Sequence, residues 1–316
     1  MKQIVVVSGK GGTGKTILTA SFAALAKNKV MVDCDVDAAD LHLLLHPEIK
    51  EKFEFKGMPK AVINQKKCTG CGECAKVCRY DAIINIDARY KIQDAGYKNS
   101  KLNSNFYVEP ISCEGCRVCM YTCPIEAISM KDNIAGEWYI SETKYGQMVH
   151  AKLGIAEENS GKLVARIRQE ARTIAEKENC DYIIIDGPPG IGCPVIASIT
   201  GVDIVLIVTE PTLSGLHDME RVIELTKHFR LKIYVIINKC NINPEMTTKI
   251  EEYCKKNGIK LIGKIIYDTV ITEAMVHRMS VVEFSKNSQV AQQIKRAWEV
   301  IQNETSPLSS PLNGED

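Results

Sequence analysis

A β-branched run, Ile4 to Val7, ends in Gly9-Lys10-Gly11-Gly12-Thr13-Gly14-Lys15-Thr16, and that order leaves few folds open. A short, wholly apolar run reads as a strand buried on both faces. The glycines provide a tight turn, and Ile17 to Lys27 predicts the helix that follows. The loop fits G-x-x-x-x-G-K-[ST]. Its backbone N–H groups turn toward phosphate oxygens, and the helix adds its positive N-terminal end. Lys15 is placed to reach the β- and γ-phosphates, and the Thr16 hydroxyl to sit on Mg²⁺. Gly9, Lys10, Gly11, Gly12, Thr13, Gly14, Lys15 and Thr16 are therefore the expected nucleotide-binding residues.

Further apolar strands end in polar residues. Val30–Asp33 runs into Asp35, Asp37 and Asp40; Asp181–Ile185 ends in Asp186-Gly-Pro-Pro-Gly190; Lys232–Ile237 ends at Asn238. Helical segments alternate with them: 161–177 behind a Ser160 cap, 214–229, a short helix through Ala274 and His277, and 288–301. Strand and helix in alternation predict an α/β, doubly wound, mainly parallel sheet with its site at the carboxyl ends of the strands. Glu137–Ser141 and Gly146–Leu153 read as a hairpin, with His150 a hydrogen-bonding structural residue. The formal net charge of +1 argues against a dedicated nucleic-acid binder. No run reaches the roughly 18 apolar residues of a membrane span, and the chain opens directly into a strand, so a cytoplasmic location without a signal peptide is expected.

Thirteen cysteines in such a chain point to metal rather than to a disulfide framework. Eight fall into two copies of C-x₂-C-x₂-C-x₃-C: Cys68, Cys71, Cys74, Cys78 and Cys113, Cys116, Cys119, Cys123, each followed by an Ala-Ile strand. Paired zinc sites share the C-x₂-C spacing but do not call for the third evenly spaced cysteine. The repeat resembles that of bacterial two-cluster ferredoxins, in which the fourth cysteine serves the other cluster. The resemblance implies one [4Fe–4S] cluster on Cys68, Cys71, Cys74 and Cys123, and a second on Cys113, Cys116, Cys119 and Cys78. Arg79 stands where that motif usually has proline, which removes no ligand. The polar stretch 87–106, with Lys91, Lys98 and Lys101, is a solvated excursion or a docking loop.

With Lys10 ahead of Gly11-Gly12, the phosphate loop resembles the deviant form found in MinD-type ATPases, relatives of the nitrogenase iron protein and of iron–sulfur scaffold ATPases. The resemblance implies a nucleotide-dependent homodimer, or a heterodimer with a paralogue. It makes Lys10 a residue acting across the interface, Lys15 and Asp35 the further catalytic residues, Thr16 and Asp186 the Mg²⁺ residues, and Asn238 the adenine-side residue. Asp37 and Asp40 are weaker candidates near Mg²⁺. Cys193 lies seven residues beyond Asp186, the offset of a cluster cysteine in the nitrogenase iron protein. Its alternative is a half-buried helix-start residue, and Cys34, Cys180, Cys240 and Cys254 read as packing residues. MinD-type proteins end in a basic amphipathic membrane helix; residues 304–316, rich in Ser, Pro, Gly and acids, do not read as one, so membrane patterning is not expected.

The expected organisation is a P-loop ATPase domain in two parts, 1–58 and 132–303, interrupted by an α+β bacterial-type ferredoxin domain, 59–131, and followed by a disordered tail, 304–316. The expected function is slow, partner-stimulated ATP hydrolysis coupled, in a nucleotide-gated dimer, to electron transfer through two [4Fe–4S] clusters. The cofactors are those clusters, ATP or ADP, and Mg²⁺. The partner is a redox or cluster-accepting protein, with no nucleic acid and no membrane. Alternatives are an ATP-dependent cluster assembly or delivery factor and, more weakly, a redox-sensing spatial or regulatory ATPase.

Overall fold

Strand β1 (Lys2–Ser8) is the axis of the principal sheet because its apolar run has two faces to bury. Ile4 and Val6 join one hydrophobic layer, Val5 and Val7 point to the opposite face, and all four are fully buried. In this computed structural model residues 1–85, 106–154, 157 and 159–305 are described. The other strands, in chain order, are β2 (Lys29–Asp33), β3 (Glu48–Lys56), β4 (Lys60–Ile63), β5 (Ile83–Asn85), β6 (Phe106–Val108), β7 (Ile128–Lys131), β8 (Ile134–Thr143), β9 (Gly146–Leu153), β10 (Tyr182–Pro189), β11 (Ile204–Thr209), β12 (Lys232–Ile237) and β13 (Lys260–Lys264). The sheet order is β13-β12-β11-β1-β10-β2-β9-β8-β3. Pairing is parallel from β13 through β9, so the carboxyl ends of β1, β2, β10, β11 and β12 lie together.

The chain divides into two compact units. The first comprises Met1–Phe53, Trp138–Lys152 and Ser160 onward; the second comprises Glu54–Glu137 and Leu153–Asn159. In the first, helices Lys15–Leu25 and Gln289–Thr305 share a layer over one sheet face, with the Phe22 and Trp298 rings 5.1 Å apart. Helix Ser160–Lys177 packs against β2 and β10 through Leu163, Val164, Ile167, Ala171 and Ala175.

Several sequence expectations change. Ser160 is the first helical residue rather than a cap preceding the helix. The helix expected over 214–229 is Leu213–His228, because Thr212 Oγ1 accepts from Gly215 N at 2.9 Å and sets the start one residue earlier. The last helix continues to Thr305, so the tail does not begin at Glu304. That carboxylate pairs with Lys260, 2.8 Å away, and with Lys232. The hairpin forms, with Thr143 Oγ1 donating to Gly146 O at 2.7 Å in its turn. His150 bonds Ser141 Oγ through Nε2 at 2.9 Å, and burial pushes its imidazole down to about 4. Strand β3, Glu-Ile-Lys-Glu-Lys-Phe-Glu-Phe-Lys, was not legible as a strand because nearly every residue is exposed. Its charges suit an edge strand, where they discourage pairing with other chains. The stretch 87–105 and residues 306–316 lie outside the described residues.

In the second unit, β4 pairs antiparallel with β7, and β5 with β6. The two cysteine repeats stand 45 positions apart (68 and 113, 78 and 123), and the backbone follows the same offset. Left-handed φ recurs at Gly70 and Gly115, at Gly72 and Arg117, and at Asp81 and Glu126. Short helices recur at Glu73–Lys76 and Val118–Thr122. Ile63 pairs with Ile128, and their images, Val108 and Ile83, pair with each other. One half therefore repeats the other in backbone conformation and in register.

Candidate functional site

The turn after β1 and the first turn of helix Lys15–Leu25 form the floor of a cavity of 790 Å³, a size suited to a small-molecule ligand. Gly11, Gly12, Gly14, Lys15 and Thr16 line it. Asp35, Asp37 and Asp40 enter from the segment after β2, Pro188 and Pro189 from β10, Asn238 and Lys239 from the end of β12, and Tyr267 and Asp268 from the segment after β13. Gly9, Lys10 and Thr13 complete the loop, with Thr13 buried. Residues spread over more than 250 positions thus converge because the parallel strands all end on one side.

Lys15 is 6% exposed, among acids. Asp186, at the end of β10, accepts from Thr19 Oγ1 at 3.0 Å, and the Thr16 hydroxyl lies near enough to favour its charged form. Burial raises its carboxyl above the ordinary range, against the lowering effects of Lys15 and the two hydroxyls. Asp35 is half-buried and also raised by burial, with Lys15 opposing. Thr16 and Asp186 together offer oxygen donors that suit a Mg²⁺ ion carried by a phosphate ligand. Asp37 and Asp40 are exposed at the cavity wall.

Asp33 was missed as a functional residue. Its Oδ1 accepts from Asp35 N at 3.1 Å and its Oδ2 from Leu41 N at 3.2 Å. It is fully buried beside Asp186, its register partner across β2 and β10. Burial and then Asp186 push its carboxyl up. Asp33 therefore shapes the turn that presents Asp35. The strand-end spacing Asp33-x-Asp35-x-Asp37 was its signal in the sequence.

Asn238 Nδ2 donates to Thr13 O at 2.8 Å, so it braces the phosphate loop as well as lining the cavity. Gly14 sits at φ 92, where a Cβ would also meet Asn238 Nδ2 at 2.4 Å. Gly14→Ala is expected to break that brace and cost roughly 1–3 kcal/mol of stability, with at least about tenfold weaker nucleotide binding. Thermal melting and calorimetric titration measure the two effects.

In the second unit the eight cysteines gather into two sets. Cys68, Cys71, Cys74 and Cys123 line one small void, together with Ile63, Phe106 and Ile128. Cys78, Cys113, Cys116 and Cys119 line the other, with Ala61, Ile83, Val108 and Met130. The fourth cysteine of each repeat has crossed to the other set. Backbone N–H groups point at three of the sulfurs: Gly70 N to Cys68 at 3.4 Å, Ala61 N to Cys113 at 3.5 Å and Ala127 N to Cys123 at 3.2 Å. Burial and the neighbouring thiols push Cys119 up to about 11. Each void thus gathers four thiols in an apolar shell, while among the described residues no group of three or more His, Cys, Asp or Glu is placed to hold a single metal ion.

Cys193 is exposed and opens helix Cys193–Ile199. Cys34, Cys180 and Cys254 are buried, and Cys240 is half-buried. Among the described residues no helix is long and apolar enough to cross a membrane.

Comparison with known proteins is consistent with the first unit's geometry. The family model described as the CobQ/CobB/MinD/ParA nucleotide binding domain matches residues 4–281. The chain is 30% identical over 301 residues to an uncharacterized protein of Methanocaldococcus jannaschii, covering 94% of this chain and 95% of that relative. It is 24% identical over 294 residues to the septum site-determining protein MinD of Bacillus subtilis, covering 90% and 83%. The cell division ATPase MinD of Pyrococcus furiosus shares the fold, with a TM-score of 0.54 at 18% identity, covering 96% of this chain and 99% of that one. The MinD of Pyrococcus horikoshii OT3 complexed with Mg-ADP does so with a TM-score of 0.54 at 19% identity, covering 97% and 99%. The phosphate loop, the acids facing it and the match across most of the chain place it in the CobQ/CobB/MinD/ParA nucleotide-binding family, as an ATP-binding, MinD/ParA-type P-loop protein.

Proposed function

We propose that this protein is an ATP-hydrolysing dimer whose nucleotide state gates an iron–sulfur electron carrier. The observation that carries the reading is the coexistence, in one chain, of the Lys15–Thr16–Asp186 cavity and two exchanged four-cysteine sets. In the first unit, loop N–H groups and Lys15 bind the triphosphate, Thr16 and Asp186 would hold Mg²⁺, which would offset phosphate charge, and Asp35 orients the attacking water. Asn238 faces the base. Lys10 serves a second copy of the chain, as an arginine finger does in other nucleotide hydrolases. Leu43, Ile191, Leu213 and Met275, exposed apolar residues on segments following the strand ends, suit a face that a second copy covers.

In the second unit, Cys68, Cys71, Cys74 and Cys123 would hold one [4Fe–4S] cluster and Cys113, Cys116, Cys119 and Cys78 the other. Such clusters, when bound, supply one-electron carriage. The chain's part is to fix the sulfurs, shield them with apolar side chains and donate N–H groups that tune them. The order along the chain supports coupling: the second unit begins after the acidic segment that follows β2 and returns to the first before Asp186. Inverting a 1:99 population of open and closed dimers requires about 5.5 kcal/mol of preferential ATP binding.

Lys10→Ala is expected to abolish ATP-dependent dimerisation while leaving iron content unchanged, as read by analytical ultracentrifugation and iron assay. The decisive experiment is anaerobic purification followed by EPR and redox titration with and without ATP. A nucleotide-dependent change in spectrum or potential supports gating; clusters indifferent to nucleotide sink it. A second reading, cluster delivery, draws on the exposed Cys193. It predicts a labile third cluster that passes to an apo-protein and is lost in Cys193→Ser.

A further inference from the structure

The side chain assigned above to a second copy of the chain is fully engaged within its own. Lys10 Nζ lies 2.6 Å from Glu210 Oε1 and donates to Ser214 Oγ at 3.1 Å and to Thr212 Oγ1 at 3.3 Å. An ammonium has three hydrogens to give, and three acceptors surround this one. None of the three acceptors is on the phosphate loop. Glu210 follows β11, and Thr212 and Ser214 belong to the start of helix Leu213–His228.

Glu210 is built to hold. Its side chain is 15% exposed, and its second oxygen accepts from Lys239 Nζ at 3.0 Å. Lys239 Nζ in turn reaches Gly12 O at 3.4 Å, back on the phosphate loop. Thr212 N donates to Glu210 O at 2.7 Å, closing a tight turn at the strand end. Burial would raise the Glu210 carboxyl, but the two lysines outweigh it and hold it below the usual carboxylate range. Ion pairs with this degree of burial are screened less than exposed ones.

We propose that Glu210 is a positioning residue that keeps Lys10 on its own subunit in the resting state and must release it before two copies close on nucleotide. The inference rests on the reading that Lys10 acts across the dimer. Glu210 then sets a threshold: ATP must outbid one carboxylate and two hydroxyls for the same ammonium. Glutamine in its place keeps the shape and removes the charge.

The test uses the full chain and the ATP concentration that gives half-maximal dimer in analytical ultracentrifugation. Glu210→Gln is expected to lower it about tenfold, and Ser214→Ala to lower it by a smaller factor. ADP affinity of the monomer, measured alongside, is expected to stay within about threefold, which shows that the variant is folded and its cavity intact. The double variant Lys10→Ala with Glu210→Gln is expected to remain as monomeric as Lys10→Ala alone. A weaker or unchanged dimer in Glu210→Gln, or a dimer restored in the double variant, overturns the proposal. Failure of the underlying reading is separate: there, Lys10→Ala alone would still dimerise with ATP.

Discussion

Lys15→Ala is expected to reduce nucleotide affinity by roughly thirtyfold to several-thousandfold. Truncating one partner of a buried, hydrogen-bonded charge arrangement costs about 2–5 kcal/mol, and each 1.4 kcal/mol is a factor of ten. The surroundings push the value toward the upper end. Lys15 is 6% exposed, and it opposes the burial-driven rise of both Asp35 and Asp186. Without it, burial pushes the Asp35 and Asp186 carboxyls up further, and a triphosphate loses the buried cation that meets its phosphates. Lys15→Arg is not a conservative rescue, because a planar guanidinium does not replace a compact ammonium. Isothermal titration with ATP and Mg²⁺ measures the loss. Affinity within threefold of the parent would show that phosphate binds elsewhere.

The second large effect concerns the cysteine exchange, and a double variant separates it from the simpler arrangement. Cys78 and Cys113 come from different repeats but line the same void. Cys78→Ser with Cys113→Ser is therefore expected to cost one cluster, lowering iron from about eight to about four per chain while leaving the other cluster's EPR signal. Were each repeat to serve its own cluster, the same double variant would lose both. Cys71→Ser with Cys123→Ser is the mirror experiment on the other set. Zinc in place of iron in anaerobically prepared parent protein would remove both expectations. The crossing has a local cause. Three cysteines sit on one loop and short helix, whereas the fourth follows that helix and is carried toward the partner strand pair, Ile83 with Val108 or Ile128 with Ile63.

Lys10 shows how far a local motif reaches. Its place in the phosphate loop was readable from eight consecutive residues, but its counter-ion, Glu210, lies two hundred positions away. Neither the strand-end Thr-Glu-Pro nor any spacing linked the two. Asp33 was half-legible: its strand was recognised, but its work on Asp35 N and Leu41 N depends on how the following turn folds back. Strand β3 was not legible, since only Phe53 and Phe55 alternate with charged residues, too short a period to mark a strand, and its membership depends on pairing at the sheet edge.

The sequence by itself determined the features that require only neighbours along the chain. These are the phosphate loop after a buried strand, the acids at strand ends, the alternation that makes a parallel sheet, and two equal cysteine repeats. Such signals survive in one dimension because backbone conformation and ligand spacing are local. The tertiary structure decided which distant groups share a volume: Glu210 with Lys10, Asn238 with Thr13, Asp33 with Asp186, and Cys78 with Cys113. Those pairings arise when parallel strands end on one side, or when antiparallel strands fix a register. Side chains with no link along the chain become neighbours there, and burial then sets their charge.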